Sequence, residues 1–299
     1  MRVGAVDVGT NSTRLLVAEV EEGKLRVVER RVVVTGLGAG VDASGRLSGE
    51  AMRRTLRVLA SHAAAAQSAG VVRLRVVATS ALRDAADRTG FLARAEEALG
   101  VRPEVIGGEE EAALSFLGAA GGAPGLSPYL VIDVGGGSTE FVFGVKSPTF
   151  LRSIDLGSRR ITERLVARRP AGPEVLAAAR RVSAEAFAGL ELPGAPGTVL
   201  GTGGTFTALA ALALGLPAYD PKRVHGAVLT LAALDGLAER LAGLSLEETE
   251  ALPSLDPARA PVLLGGAVVA AEALRRSGCA EIMVSEADLL DGIALLLGA

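Results

Sequence analysis

The chain has one cysteine, two histidines and no tryptophan in 299 residues, and aromatic residues make up only 3%. A lone Cys279 cannot close an internal disulfide, which fits a reducing compartment, so the expected location is the cytoplasm. So few imidazoles and thiols exclude a typical zinc centre. Any metal is expected to be a hard cation held by carboxylates and substrate oxygens. With so few rings, the cores must be packed from valine, leucine and alanine. Net charge is only −3, so no overall basic field gathers nucleic acid, and none is expected as a partner. Residues 192–219 carry no charge. There GTGGT (201–205) interrupts, and only about ten mainly apolar residues follow, short of the ~20 that a membrane span needs. That stretch is predicted as a buried helix, with no membrane partner. The opening MRVGAVDVGTNSTRLL lacks a signal-peptide pattern, because Asp7 interrupts any apolar run.

What is present is globular: 49% hydrophobic and 22% charged residues, with length enough for about two domains of ~150 residues. RVGAVDVG and RLLVAEV read as a hairpin, with KLRVVERRVVV (24–34) as a third strand. Ser48 looks like the cap of a helix running to about residue 68, followed by a strand at 71–79 and helices near 88–99 and from Gly108. GGAPGLSP (121–128) has the composition of a boundary. After it the order restarts: YLVIDVG, a glycine turn, EFVFGV, TFLRSIDLG, then helices and GTVLGTGGTFTALAALAL. A helix near 258–277, the strand EIMVS and a helix at 286–297 close the chain. This predicts duplicated α/β domains, 1–124 and 125–299, with the last helix free to pack back on the first.

The restart is nearly literal. Residues 7–13 read DVGTNST and residues 133–139 read DVGGGST, identical at five of seven positions. A glycine turn between strands points several backbone N–H groups at one place, which suits phosphate oxygens. The candidate phosphate-binding residues are Gly9, Thr10, Asn11 and Ser12 in the first copy, and Gly135, Gly136, Gly137 and Ser138 in the second. The third turn adds Gly203 and Gly204. Asp7 and Asp133 stand just before each turn, where carboxylates beside phosphate make sense with a cation between them. The bland alternative is two ordinary tight turns. After ST, the first copy has Arg14 and the second has Glu140. A carboxylate there either binds metal, handles a proton, or is merely a solvated strand residue. Glu109, Glu110 and Glu111 open a helix, where the dipole alone favours acids. Glu111 lies one turn before Leu114 and so could also border a cleft. Arg83, in ATSALRDA, is a fork-shaped donor suited to phosphate, or else a surface arginine pairing with Asp84 or Asp87.

These pieces in this order resemble the exopolyphosphatase/guanosine pentaphosphate phosphatase (Ppx/GppA) family of the actin-like ATPase superfamily. The resemblance rests on AVDVGTNSTRLLVAEV, ATSALRDA, IGGEEEAALSFLG, VIDVGGGSTEFVFG, GTGGT and the HG at 225–226, and spans residues 3 to about 292. It implies two ribonuclease-H-like domains flanking an interdomain cleft, and Mg²⁺-dependent hydrolysis of a terminal phosphoanhydride of polyphosphate or of guanosine pentaphosphate. It further implies Glu111 as general base for the attacking water, with Glu140 also catalytic and Asp133 the aspartate before the turn. Arg83 would line the substrate cavity, and a homodimer is plausible by the same analogy. Ala113 and Leu290 stand where the family often has arginine, and longer members carry a further C-terminal helical domain. Short substrates are therefore expected. A kinase of the same superfamily and a non-catalytic phosphate or nucleotide sensor are the alternatives.

Overall fold

The computed structural model describes residues 1–299. Its contacts divide the chain into two compact units, Met1–Gly118 with Asp288–Ala299, and Ala119–Ala287. The division thus falls near the end of the helix Gly108–Ala120, ahead of the turn-rich stretch 121–128. The final helix, Leu289–Gly298, belongs to the first unit. Its Leu289, Leu290, Ile293 and Ala294 are buried with Val3, Ala5, Leu16 and Leu114.

The strands are β1 (Arg2–Val8), β2 (Ser12–Glu21), β3 (Lys24–Val34), β4 (Arg73–Ala78) and β5 (Glu104–Val105), then β6 (Tyr129–Val134), β7 (Thr139–Gly144), β8 (Pro148–Ile154), β9 (Thr198–Thr202), β10 (Val228–Thr230) and β11 (Glu281–Val284). The first unit's sheet has the order β3-β2-β1-β4-β5, and the second β8-β7-β6-β9-β11-β10. In each, a hairpin and a third antiparallel strand precede a parallel crossover, β1 with β4 and β6 with β9. The units are duplicates of one ribonuclease-H-like plan, the second carrying an extra antiparallel edge strand, β10. The central strands read as nearly unbroken apolar runs because helices cover both faces: β1 is buried from Val3 to Val8 and β7 throughout.

The uncharged stretch forms the helix Gly203–Ala213, whose residues are mostly buried, as expected. Pro257–Ser277 is long and apolar enough to cross a membrane, yet 78% of it is buried inside the protein, which marks it as a core helix. The sequence reading assigned no elements between 220 and 257. That region holds β10, the helix Leu231–Ala242 and two helices of four and five residues.

Small residues set the distances that matter. A Cβ on Gly118 would lie 1.9 Å from the Asp288 carbonyl oxygen, and one on Gly292 would lie 2.0 Å from that of Leu114. The last helix therefore crosses the Glu111 helix at backbone contact. In the second unit, a Cβ on Gly265 would lie 2.3 Å from Thr162 Oγ1 and 2.6 Å from the Ser158 carbonyl oxygen. This seats the start of the helix Ser158–Leu165 against Ala260–Ser277.

Candidate active site

Both glycine turns are closed by the same bond: Gly9 N–H donates to the Ser12 carbonyl and Gly135 N–H to that of Ser138, each at 3.0 Å. In the first turn, the Thr10 carbonyl accepts from Gly38 N–H (2.9 Å), and that of Asn11 accepts from Thr35 and Gly36 N–H. A trans peptide points its N–H opposite to its C=O, so the amides of Asn11 and Ser12 face away from the 35–38 loop. Thr10 Oγ1 accepts from Ala81 N–H at 3.1 Å, anchoring the short helix Ser80–Asp84.

The second turn is held more completely. The Gly135 carbonyl accepts from Ser158 N–H and Oγ–H, that of Gly136 from Arg159 and Arg160 N–H, and that of Gly137 from Arg160 Nε–H. Three consecutive carbonyls thus face the start of one helix. The amides of Gly136, Gly137 and Ser138 are turned the other way, an arrangement that binds anions. Gly203, at φ +84°, lies beside this turn: a Cβ there would be 2.6 Å from Asp133 Oδ1. Gly204 is covered by the guanidinium of Arg259, 2.0 Å from where a Cβ would sit.

The aspartates before the turns have opposite surroundings. Asp7 stands across the sheet from Arg14, and Asp133 across from Glu140. Arg14 Nε and Nη2 both reach Asp7 Oδ2 at 2.9 Å, while Asp7 Oδ1 is buried with no partner. Burial holds the Asp7 pKa above its ordinary value, the Arg14 guanidinium pulls against that, and Arg83 is near enough to pull the same way. Glu140 is 1% exposed, with Oε1 accepting from Ser153 Oγ–H at 2.8 Å. It is not a solvated strand residue.

These donor sets fit a hard cation. Like charges directly opposite in a sheet destabilise it, and a cation beside Asp133 and Glu140 removes that cost. Mg²⁺ is commonly held by one or two carboxylates, with water and phosphate oxygens completing its shell. In the first unit Asp7 Oδ1, buried without a hydrogen-bond partner, is an oxygen suited to such a role.

The three acids of the Glu111 helix part company. Glu110 pairs with Arg75 on the surface at 2.7 Å, whereas Glu111 Oε2 accepts from Arg83 Nη1 at 2.6 Å, the pair being 13% and 19% exposed. Arg83 Nη1 also donates to the Ile106 carbonyl. Asp87, one of the partners considered for Arg83, accepts from Leu47 N–H instead. The proposed base and the proposed phosphate ligand therefore form one unit, within electrostatic reach of Asp7. Leu290, where an arginine was expected by resemblance, is a fully buried core residue.

Sequence reasoning missed Ser153, which reaches Glu140 from the neighbouring strand, and Arg160 and Arg259, each joined to its turn by folding over a longer interval. It also missed His62, which is buried beneath β2 with Nδ1 unpartnered and Nε2 3.5 Å from the Thr13 carbonyl oxygen. Burial pushes its pKa below the ordinary value. The unfolded chain therefore takes up a proton that the folded one refuses, and stability should fall as pH drops below about 6.5. Melting curves at stepped pH should show this slope, and His62→Gln should flatten it.

A model of the Ppx/GppA phosphatase family matches residues 16–296. The chain belongs to that family. Exopolyphosphatase 2 of Mycobacterium tuberculosis is 41% identical over 317 aligned residues, covering 99% of this chain and 98% of the relative. The crystal structure of an exopolyphosphatase-like protein superposes with a TM-score of 0.93 at 35% identity, covering 100% of this chain and 99% of that one. A Ppx/GppA member from Aquifex aeolicus gives 0.82 at 29%, covering 99% and 97%.

Proposed function

We propose that the protein is an exopolyphosphatase, hydrolysing the terminal phosphoanhydride of inorganic polyphosphate to release orthophosphate. The observation that carries this reading is the pair of turns, one in each unit, whose carbonyls are tied down, leaving amides to phosphate oxygens, together with a carboxylate in the first unit that Arg83 holds in place. Phosphoryl transfer requires a positioned water and neutralisation of charge at the transferred group. The amides of Gly136, Gly137 and Ser138, with Asn11 and Ser12 in the first turn, bind phosphate oxygens, and Arg83 and Arg259 add guanidinium donors. Glu111, fixed by Arg83, orients the attacking water and accepts its proton. Asp133 and Glu140 would hold Mg²⁺, which when bound supplies Lewis-acid neutralisation of the phosphate oxygens. Leu290 in the core, with no cation at that position, supports a preference for short chains, and the single cysteine fits a cytoplasmic location.

The test is orthophosphate release with Mg²⁺ from polyphosphates of graded length, guanosine pentaphosphate and ATP. Release from polyphosphate, faster on chains of a few units than of hundreds, is the expected result. Release from the nucleotide alone would move the assignment to a guanosine pentaphosphate phosphatase. No release from any substrate would leave a sensor, and transfer from ATP to an added acceptor a kinase.

A further inference from the structure

The first turn is tied to the far end of the chain by alternating buried charges. Asp7 Oδ2 takes two N–H groups of Arg14, and Arg14 Nη1 donates to Asp288 Oδ2, 274 positions later in the sequence. Asp288 Oδ1 accepts from Leu290 N–H (2.9 Å), and Arg30 Nη1 lies 3.6 Å from it. Arg30 Nη2 then grips both oxygens of Asp291 at 2.8 and 2.7 Å, and Asp291 Oδ2 accepts from Asp288 N–H, completing a capping box on the last helix. Three acids alternate with two arginines, so with all five ionised the chain of charges is one positive charge short. The one carboxylate oxygen in it that is buried without any partner is Asp7 Oδ1. The counterpart of Arg14 in the other unit, Glu140, has the opposite sign, so the arrangement is particular to the first turn.

We infer that Arg14 is a positioning residue: by holding Asp7 Oδ2 with two donors and Asp288 with a third, it leaves Asp7 Oδ1 as the single oxygen offered to the substrate's cation. The last helix thereby sets the geometry of the first turn. A guanidinium is suited to this because it is planar and spans two carboxylates at once. A lysine ammonium in the same place is a point charge that neutralises without orienting.

This rests on the phosphohydrolase reading, and the experiment separates the two. Wild type, Arg14→Lys, Arg14→Met and Asp288→Asn are compared by melting temperature, by Mg²⁺ titration calorimetry without substrate, and by steady-state phosphate release at varied Mg²⁺ and polyphosphate. Arg14→Met should lower kcat about 10-fold or more with KM changed less than about threefold, and should change the Mg²⁺ affinity in calorimetry. Arg14→Lys should keep the melting temperature but recover less than about half of kcat. Asp288→Asn should fall between them. Full kcat and unchanged Mg²⁺ affinity in folded Arg14→Lys would overturn the inference. If wild type releases no phosphate, the functional reading fails, and the calorimetry still decides: equal Mg²⁺ affinity in wild type and Arg14→Lys refutes the role, and a clear difference upholds it.

Discussion

Glu111→Gln is expected to lower kcat on polyphosphate by about 10³-fold, in the range of removing a general base, with KM changed by less than about threefold. The amide keeps the size of the side chain, and its oxygen can still accept from Arg83 Nη1, now 2.6 Å from Glu111 Oε2. What it loses is the ability to take a proton from water. Glu110→Gln is the control, because Glu110 sits one residue away on the same helical turn and pairs with Arg75 at the surface. Its exposed ion pair contributes at most about 1 kcal/mol, so its kcat should equal wild type. The pair of variants decides between dipole capping, which both acids satisfy alike, and base chemistry, which only Glu111 performs. Steady-state rates on folded protein check it; a Glu111→Gln enzyme keeping more than about a tenth of wild-type kcat would remove Glu111 as base.

The two turns were legible because glycine, aspartate and hydroxyl side chains must sit at fixed offsets from a strand end, and the hairpin keeps those offsets local. Asp7 opposite Arg14 and Asp133 opposite Glu140 follow from the same short register. Whether Glu140 is solvated does not follow, because it depends on what covers the outer face of β7. There Ser153 from β8 takes its carboxylate and no residue of the strand remains exposed. Helix dipole arguments could not separate Glu110 from Glu111 either. The choice is made by Arg75 and Arg83, which lie on a strand and a short helix more than twenty residues earlier. Arg259 reaches Gly204 only because the apolar helix after it is buried beside the turn. Between 220 and 257 the strand has three residues and two helices have four or five, too short to show a period, whereas the helix Leu231–Ala242 does carry a helical pattern, burying Leu234, Leu237, Ala238 and Leu241, that sequence reasoning passed over.

Gly157→Ala should be strongly damaging although it touches no ionisable or hydroxyl group. Gly157 has φ −146°, an extended conformation that alanine adopts freely, so backbone preference predicts no effect. Space predicts a large one. A Cβ at 157 would lie 2.6 Å from the carbonyl carbon and oxygen of Gly136 and 2.7 Å from the Gly135 oxygen. Its neighbours are backbone atoms already fixed by Ser158, Arg159 and Arg160, so no side chain can swing away. The turn must shift, and its amides shift with it. Overpacking of this kind costs about 1–3 kcal/mol of stability, and displacement of phosphate-binding groups by ~1 Å costs about 10²-fold in rate. Gly157→Ala is therefore expected to melt several degrees lower and to lose about 10²-fold in kcat/KM under conditions where it is fully folded. Gly172→Ala is the matching control: that glycine also precedes a helix in the second unit, and a Cβ on it meets nothing within 4 Å. Wild-type kcat/KM in Gly157→Ala would mean that the second turn's amides do not bind the phosphate that reacts.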